Sequence, residues 1–188
     1  KVYIGKQYNN TYVFDGLIRN IILIKDKSYI FENYNVPISD SSIINTPAVH
    51  LPLETNAINT GFSQLTINSV GDPTYTTIDG KKCIKFESGK YLTINSNNIF
   101  NLGTNSDFYI EFDFYVLTQD NKYEALIADY NTVWRDSPFI LSVLNADPLN
   151  NTVYDGHIYF RNAVADINNI LITKNSIIRK NWNNFNFY

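Results

Sequence analysis

The run Asp107-Phe-Tyr-Ile-Glu-Phe-Asp-Phe-Tyr-Val-Leu117 constrains the fold more than any other stretch of this chain. Phe108, Ile110, Phe112, Phe114 and Val116 alternate with Tyr109, Glu111, Asp113, Tyr115 and Leu117. A period of two sends alternate residues to opposite faces of a β-strand. The first set has no polar member, and the second mixes tyrosines with carboxylates. Such a strand is central in its sheet, with one face in a deep apolar core and the other toward solvent or a ligand.

Covering that inner face needs more strands, and the chain supplies them. Val2-Tyr-Ile4 is a short one, followed by a polar turn at Gln7–Thr11. Gly16 leads into Leu17–Lys25, whose two faces both become apolar, the pattern of a strand buried on both sides. Further strands are expected at His50–Leu53, Phe62–Val70, Thr74–Ile78, Cys83–Phe86, Tyr91–Ile94, Ala125–Ala128, Phe139–Val143, His157–Phe160, Ile170–Ile172 and Trp182–Phe187. Turn signals punctuate them, notably Gly71-Asp-Pro73, Asp79-Gly80 and Ser88-Gly-Lys90. Residues 95–105 read as a loop with one helical turn around Ile99–Leu102. Tyr 14 and Phe 12 against Met 0 agree with aromatic-rich sheets rather than packed helices. Strands at this spacing, without a convincing helix, predict an all-β sandwich or barrel.

One stretch breaks the pattern. Residues 33–47 are polar, carry Pro37 and Pro47 and show no period, which is the composition of an inter-domain linker. The absence of Met and the strand-like first and last residues read as a segment of a longer protein.

Composition also narrows the function classes. A net charge of -3 with no basic run interleaved with aromatics speaks against a nucleic-acid surface. The single Cys83 excludes an intrachain disulfide framework and a multi-cysteine zinc site, and its setting in Lys82-Cys-Ile-Lys-Phe86 suits a small buried thiol. No apolar run approaches the roughly 20 residues of a membrane-spanning helix. His50 and His157 are far apart, and no Gly-x-Ser-x-Gly, Walker or His-Glu-x-x-His pattern accompanies them.

Several of these segments resemble the laminin-G-like domains of the concanavalin A-like lectin and glucanase superfamily. Tyr3-Ile-Gly5 and Phe14-Asp-Gly-Leu-Ile-Arg-Asn-Ile-Ile-Leu23 look like the closing strands of such a domain. Leu51–Leu53, Ile84–Phe86, Tyr91–Ile94, Asp107–Phe114 and Trp182–Phe187 look like its first and middle strands. The resemblance implies a two-sheet antiparallel jelly-roll sandwich, present here in incomplete form. It also implies a domain order: residues 1–32 close a preceding domain, 33–47 link, and 48–188 open a following one. Residues 1–32 should then pack poorly on the rest, unless they substitute for the missing final strands.

Within that superfamily Glu111 and Asp113 resemble the paired acids of glycosidases, where one carboxylate attacks and another protonates the leaving group. The family pattern carries a further Glu just beyond the pair. Here Phe114, Tyr115, Val116 and Leu117 follow, so the expectation is a non-enzymatic surface. Tyr109, Glu111, Asp113 and Tyr115 on one strand face, with Tyr123 and Trp134 nearby, form the candidate ligand site. Aromatic rings stack on sugars, and acids and amides hydrogen-bond to them. The same tyrosines equally suit packing against a neighbouring domain or subunit. No cofactor is expected; the superfamily leaves calcium open, with Asp120, Asp129, Asp136, Asp147 and Asp155 as loop oxygen donors. The expected role is attachment or structure in a large virion protein (a phage tail or fibre) or in a cell-surface adhesin. Its partners would be a glycan or protein receptor and neighbouring domains or subunits, without nucleic acid or membrane insertion. The alternatives are a carbohydrate-binding module of a carbohydrate-active enzyme and a pure scaffold.

Overall fold

A computed structural model describes residues 1–6, 12–25, 48–61, 63–95, 100, 108–118, 123–129, 139–144, 156–164 and 167–187. Thirteen strands occur among the described residues, in chain order: β1 (Val2–Ile4), β2 (Gly16–Lys25), β3 (Val49–Leu51), β4 (Ile67–Val70), β5 (Thr74–Ile78), β6 (Lys81–Phe86), β7 (Tyr91–Ile94), β8 (Phe108–Val116), β9 (Tyr123–Asp129), β10 (Phe139–Leu144), β11 (Ile158–Val164), β12 (Ile167–Ile172) and β13 (Trp182–Phe187). No α-helix occurs among the described residues, and none there is long and apolar enough to cross a membrane.

The strands form two antiparallel sheets packed face to face, an all-β sandwich. One sheet has seven strands in the order β12-β11-β10-β9-β1-β7-β4. The other has six: β13-β8-β2-β6-β5, with β3 added beside β2. The alternation in β8 resolves as its sequence demands. Ile110, Phe112, Phe114 and Val116 lie in the shared core, and Phe108 packs against it. Phe160 of β11 sits 6.0 Å from Phe108 and 4.8 Å from Phe187 of β13, so aromatic rings tie one sheet to the other. Asp79 and Gly80 both have positive φ, at 53° and 75°, the geometry of the tight turn that joins β5 to β6.

The first segment does not lie apart from the rest. β1 is paired on both sides, with β7 and with β9. β2 is paired with β6 and β8, and β3 also lies against it. Val2, Ile4, Phe14, Ile18, Ile21 and Leu23 enter the same core as Phe112 and Phe139. Of the two expected outcomes, poor packing or substitution for final strands, the second is found: these strands lie in the middle of both sheets. The reason is burial. β2 is buried along both faces, and a central position gives each face flanking side chains from the strands on either side. The stretch read as a linker, 33–47, lies outside the described residues, but its flanks meet, because Leu23 pairs with Val49 across β2 and β3.

Two glycines shape the passage from β1 to β2. A Cβ on Gly16 would collide with the Phe14 ring and the Tyr115 carbonyl oxygen. A Cβ on Gly5 would lie 2.6 Å from the Phe86 ring, and Gly5 has a φ of +88°. Only glycine lets the backbone approach this closely.

Smaller departures concern strand length. The expected strand over Phe62–Val70 is confined to Ile67–Val70, although Leu65 still packs against the core. Of the expected helical turn at 99–102, only Phe100 is described; it lies in the core, 6.3 Å from Phe139. The expected turn at Gln7–Thr11 lies outside the described residues, but Lys6 bridges to Val13 across it.

Candidate functional site

The outer face of the six-stranded sheet is built in rows, because antiparallel register sets residues side by side. Trp182, Tyr115, Leu17 and Lys85 make one row across β13, β8, β2 and β6. Asn184, Asp113 and Arg19 make the next. Asn186, Glu111, Ile22 and His50 make a third.

This face is not flat. Trp182 belongs to one edge strand and Ile78 to the opposite edge, yet the Trp182 indole N–H donates to the Ile78 carbonyl at 3.3 Å. The Lys81 ammonium, on the neighbouring strand, lies 5.2 Å from the centre of the Trp182 ring. The sheet curls over its outer face until its two edges touch. That closure explains why Leu17 and Cys83, whose side chains point outward from interior strands, are fully buried. Burial pushes the Cys83 thiol up from its usual range, opposed by the Arg19 charge and a backbone hydrogen bond at Ile78. Its thiol points at the Thr76 carbonyl at 3.5 Å, the bland buried role its sequence setting suggests.

Glu111 and Asp113 share this face; three of their four carboxylate oxygens accept hydrogen bonds and the fourth faces a cation. Asn184 Nδ2 lies 3.1 Å from Glu111 Oε1 and 3.0 Å from Asp113 Oδ1, donating to both. The Tyr109 hydroxyl donates to Glu111 Oε2 at 2.6 Å. Arg19 Nε lies 3.5 Å from Asp113 Oδ2. Tyr109 itself is buried, with Ile22 and Ile24 around it. Burial first, and then the hydrogen bond and charge of Glu111, push its phenol well above the ordinary range.

The six candidate residues therefore divide. Glu111, Asp113 and Tyr115 stay together on the outer face of β8. Tyr109 shares that face, but its role is corrected: a phenol this buried, bonded to a carboxylate, offers no open ring to a sugar. Tyr123 is in β9, opposite Leu144 in the seven-stranded sheet, so the structure separates it from β8. Trp134 lies outside the described residues.

Trp182 and Asn184 are the residues sequence reasoning left out. Tyr115 and Trp182 meet edge-on, with ring centres 5.7 Å apart. Asn184 and Asn186 stand exposed beside them. The alternation Trp182-Asn-Asn184-Phe-Asn186 carried a signal, since Phe185 had to face the core and so turned the other set outward. Nothing in it said that β13 would pair with β8.

For calcium, only Asp129 of the five acids is described, and it is buried in β9, opposite Val2 and Phe139. No group of three or more His, Cys, Asp or Glu that could hold a metal ion occurs among the described residues.

No protein-family model, curated protein or solved structure matches this chain.

Proposed function

We propose that this chain is a non-enzymatic attachment or structural module of a large multidomain virion or cell-surface protein, contacting glycan or protein partners. The observation that carries the reading is an acid pair tied up by its own neighbours, with no third carboxylate beside it on β8. Glycoside hydrolysis by two carboxylates needs one oxygen open for attack, or for activating water, and one acid that can deliver a proton. Here Asn184 and Tyr109 hydrogen-bond three of those oxygens and the Arg19 charge lies beside the fourth. What the face offers a ligand is of another kind. The half-buried rings of Tyr115 and Trp182 stand beside exposed amides and a lysine, the mixture that carbohydrate and protein surfaces use.

The jelly-roll, laminin-G-like relationship belongs to the same proposal and rests on the sequence motifs. It favours a phage tail or fibre, or a bacterial adhesin, over an intracellular role. The scaffold alternative would have this face, Tyr115 included, covered by another chain. Calcium enters as an added ligand only through that relationship.

Screening the intact chain against immobilised glycans, with and without calcium, tests the reading. Binding that Trp182→Ala abolishes and Glu111→Gln preserves is the expected result. Hydrolysis of any bound glycan that depends on Glu111 would overturn it.

A further inference from the structure

Among the described residues, the seven-stranded sheet ends on β4, and the outer side of that strand has no partner. The register says which groups that edge offers. Thr66 stands opposite Asn95 in the pairing of β4 with β7, and the Asn95 N–H donates to the Thr66 carbonyl at 3.3 Å. Residues that exchange backbone bonds alternate along an antiparallel pair. Asn68 and Val70 therefore bond to β7, and Ile67 and Ser69 turn their N–H and C=O groups outward. The rest of the sheet gives the same parity. The Gly5 N–H donates to the Leu126 carbonyl at 2.9 Å, which sets Val2 and Ile4 against β7 and leaves Tyr91 and Thr93 for β4.

Sheet edges are normally blunted by charge, by proline or by a cover. The two edges of the other sheet cover each other through Trp182 and Ile78. By contrast, residues 55–71, which lead into β4 and form it, contain no charged residue and no proline. A cavity of about 620 Å³ opens beside the start of the strand, where Ile67 lines it with Asn59, Ser63, Gln64, Leu65 and Thr66. The loop that walls it is held in shape before any ligand arrives. Asn59 Oδ1 accepts from the N–H groups of His50 and Gly61 at 2.8 and 3.1 Å, and Asn59 Nδ2 donates to the Ser63 carbonyl at 2.6 Å. Such preorganisation lowers the ordering cost of binding. Ala57 roots the loop on the core, and Ile58 beside it is 59% exposed at the cavity.

Outward backbone groups repeating every second residue are matched by another extended chain. We propose that the β4 edge takes an extended peptide segment of a protein partner as an added strand, uncharged along the residues that pair. Ile67 and Ser69 supply the backbone bonds. A polar side chain of the peptide enters the cavity, where Asn59, Ser63, Gln64 and Thr66 offer amides and hydroxyls, and an apolar one covers Ile58. A charged side chain would lose water there without gaining a counter-charge, because no charged residue lines the cavity. The cavity places the partner at β4 rather than at β12, the other end of the sheet. The proposal goes beyond the binding role given above and does not rest on it, since β8 and β13 belong to the other sheet.

Hydrogen exchange on the intact chain is the first test. In dilute solution the amides of Asn68 and Val70 should exchange slowly and those of Ile67 and Ser69 fast. Slow exchange at Ile67 and Ser69 overturns the proposal, because the chain's own residues then fill the edge. Protection that grows with protein concentration overturns it in favour of a second copy. The binding probe is a displayed library of random peptides of about twelve residues, longer than the edge. Peptides selected on the intact chain should protect Ile67 and Ser69 and be uncharged where they pair. Ser69→Pro removes an outward N–H and leaves the bonds to β7 in place, so near-ultraviolet circular dichroism should stay native. Its affinity for the selected peptides should fall at least about tenfold. Should that variant not fold, Ile58→Asp at the exposed rim takes its place, with the same expected loss. Leu171→Lys on the exposed β12 edge should leave affinity within a factor of about two. Peptides that bind the wild type and Ser69→Pro alike, or a library that yields no binder protecting Ile67 and Ser69, overturn the proposal.

Discussion

The two faces of β8 obey different rules. On the inner face Ile110, Phe112, Phe114 and Val116 are buried against both sheets, and each contributes by leaving water. On the outer face Tyr109, Glu111 and Asp113 are held by hydrogen bonds and charge, with partners from β13 and β2. The inner face tolerates no polar atom. The outer one tolerates two adjacent carboxylates because Asn184 bridges them and Arg19 neutralises one. The first face makes the fold, and the second sets what its surface can do.

The largest expected effect tests the inner face. Phe112→Ala should cost about 3–5 kcal/mol on urea unfolding, and a loss below about 1 kcal/mol would show that this face is not core. Next comes the closure of the outer face. Trp182→Ala removes the contact between the two edges of the curled sheet, at a cost of about 1–3 kcal/mol for a half-buried ring. Its sharper readout is Cys83. The native thiol should resist a thiol reagent until unfolding, and the variant should react at least about ten times faster, a 1.4 kcal/mol change in the opening equilibrium. Equal rates would mean that something other than Trp182 covers Cys83.

Tyr109 gives a smaller, pH-dependent effect. Its folded phenol holds its proton more tightly than the unfolded one. Above the ordinary phenol value near 10 the unfolded chain binds fewer protons than the folded chain, so stability falls as pH rises. That stabilising contribution is fully present below pH 10. Tyr109→Phe should cost about 0.5–1.5 kcal/mol at neutral pH and flatten the alkaline decline. An unchanged alkaline slope would show that other groups cause it.

The smallest effect is the most diagnostic for function. Glu111→Gln keeps the acceptor for Tyr109 but turns an amide nitrogen toward the exposed Asn184 donor, and should cost about 0.5 kcal/mol. It should also leave any ligand affinity unchanged within a factor of about two, which titration calorimetry can check.

Local pattern carried the inventory of strands. Alternation in Phe108–Val116 and Tyr91–Ile94, two-sided apolarity in Leu17–Lys25 and the Asp79-Gly80 turn are all short-range signals. Water enforces them residue by residue, since a misplaced face exposes a Phe or buries a charge. The all-β sandwich followed from them. Neighbourhood was another matter. That β1 and β2 fill the centre of both sheets, that Asn184 arrives between Glu111 and Asp113, and that Trp182 closes onto Ile78 depend on pairings between residues up to a hundred or more positions apart. Such pairings are chosen by the total surface the whole chain can bury, and no window of the sequence contains that sum.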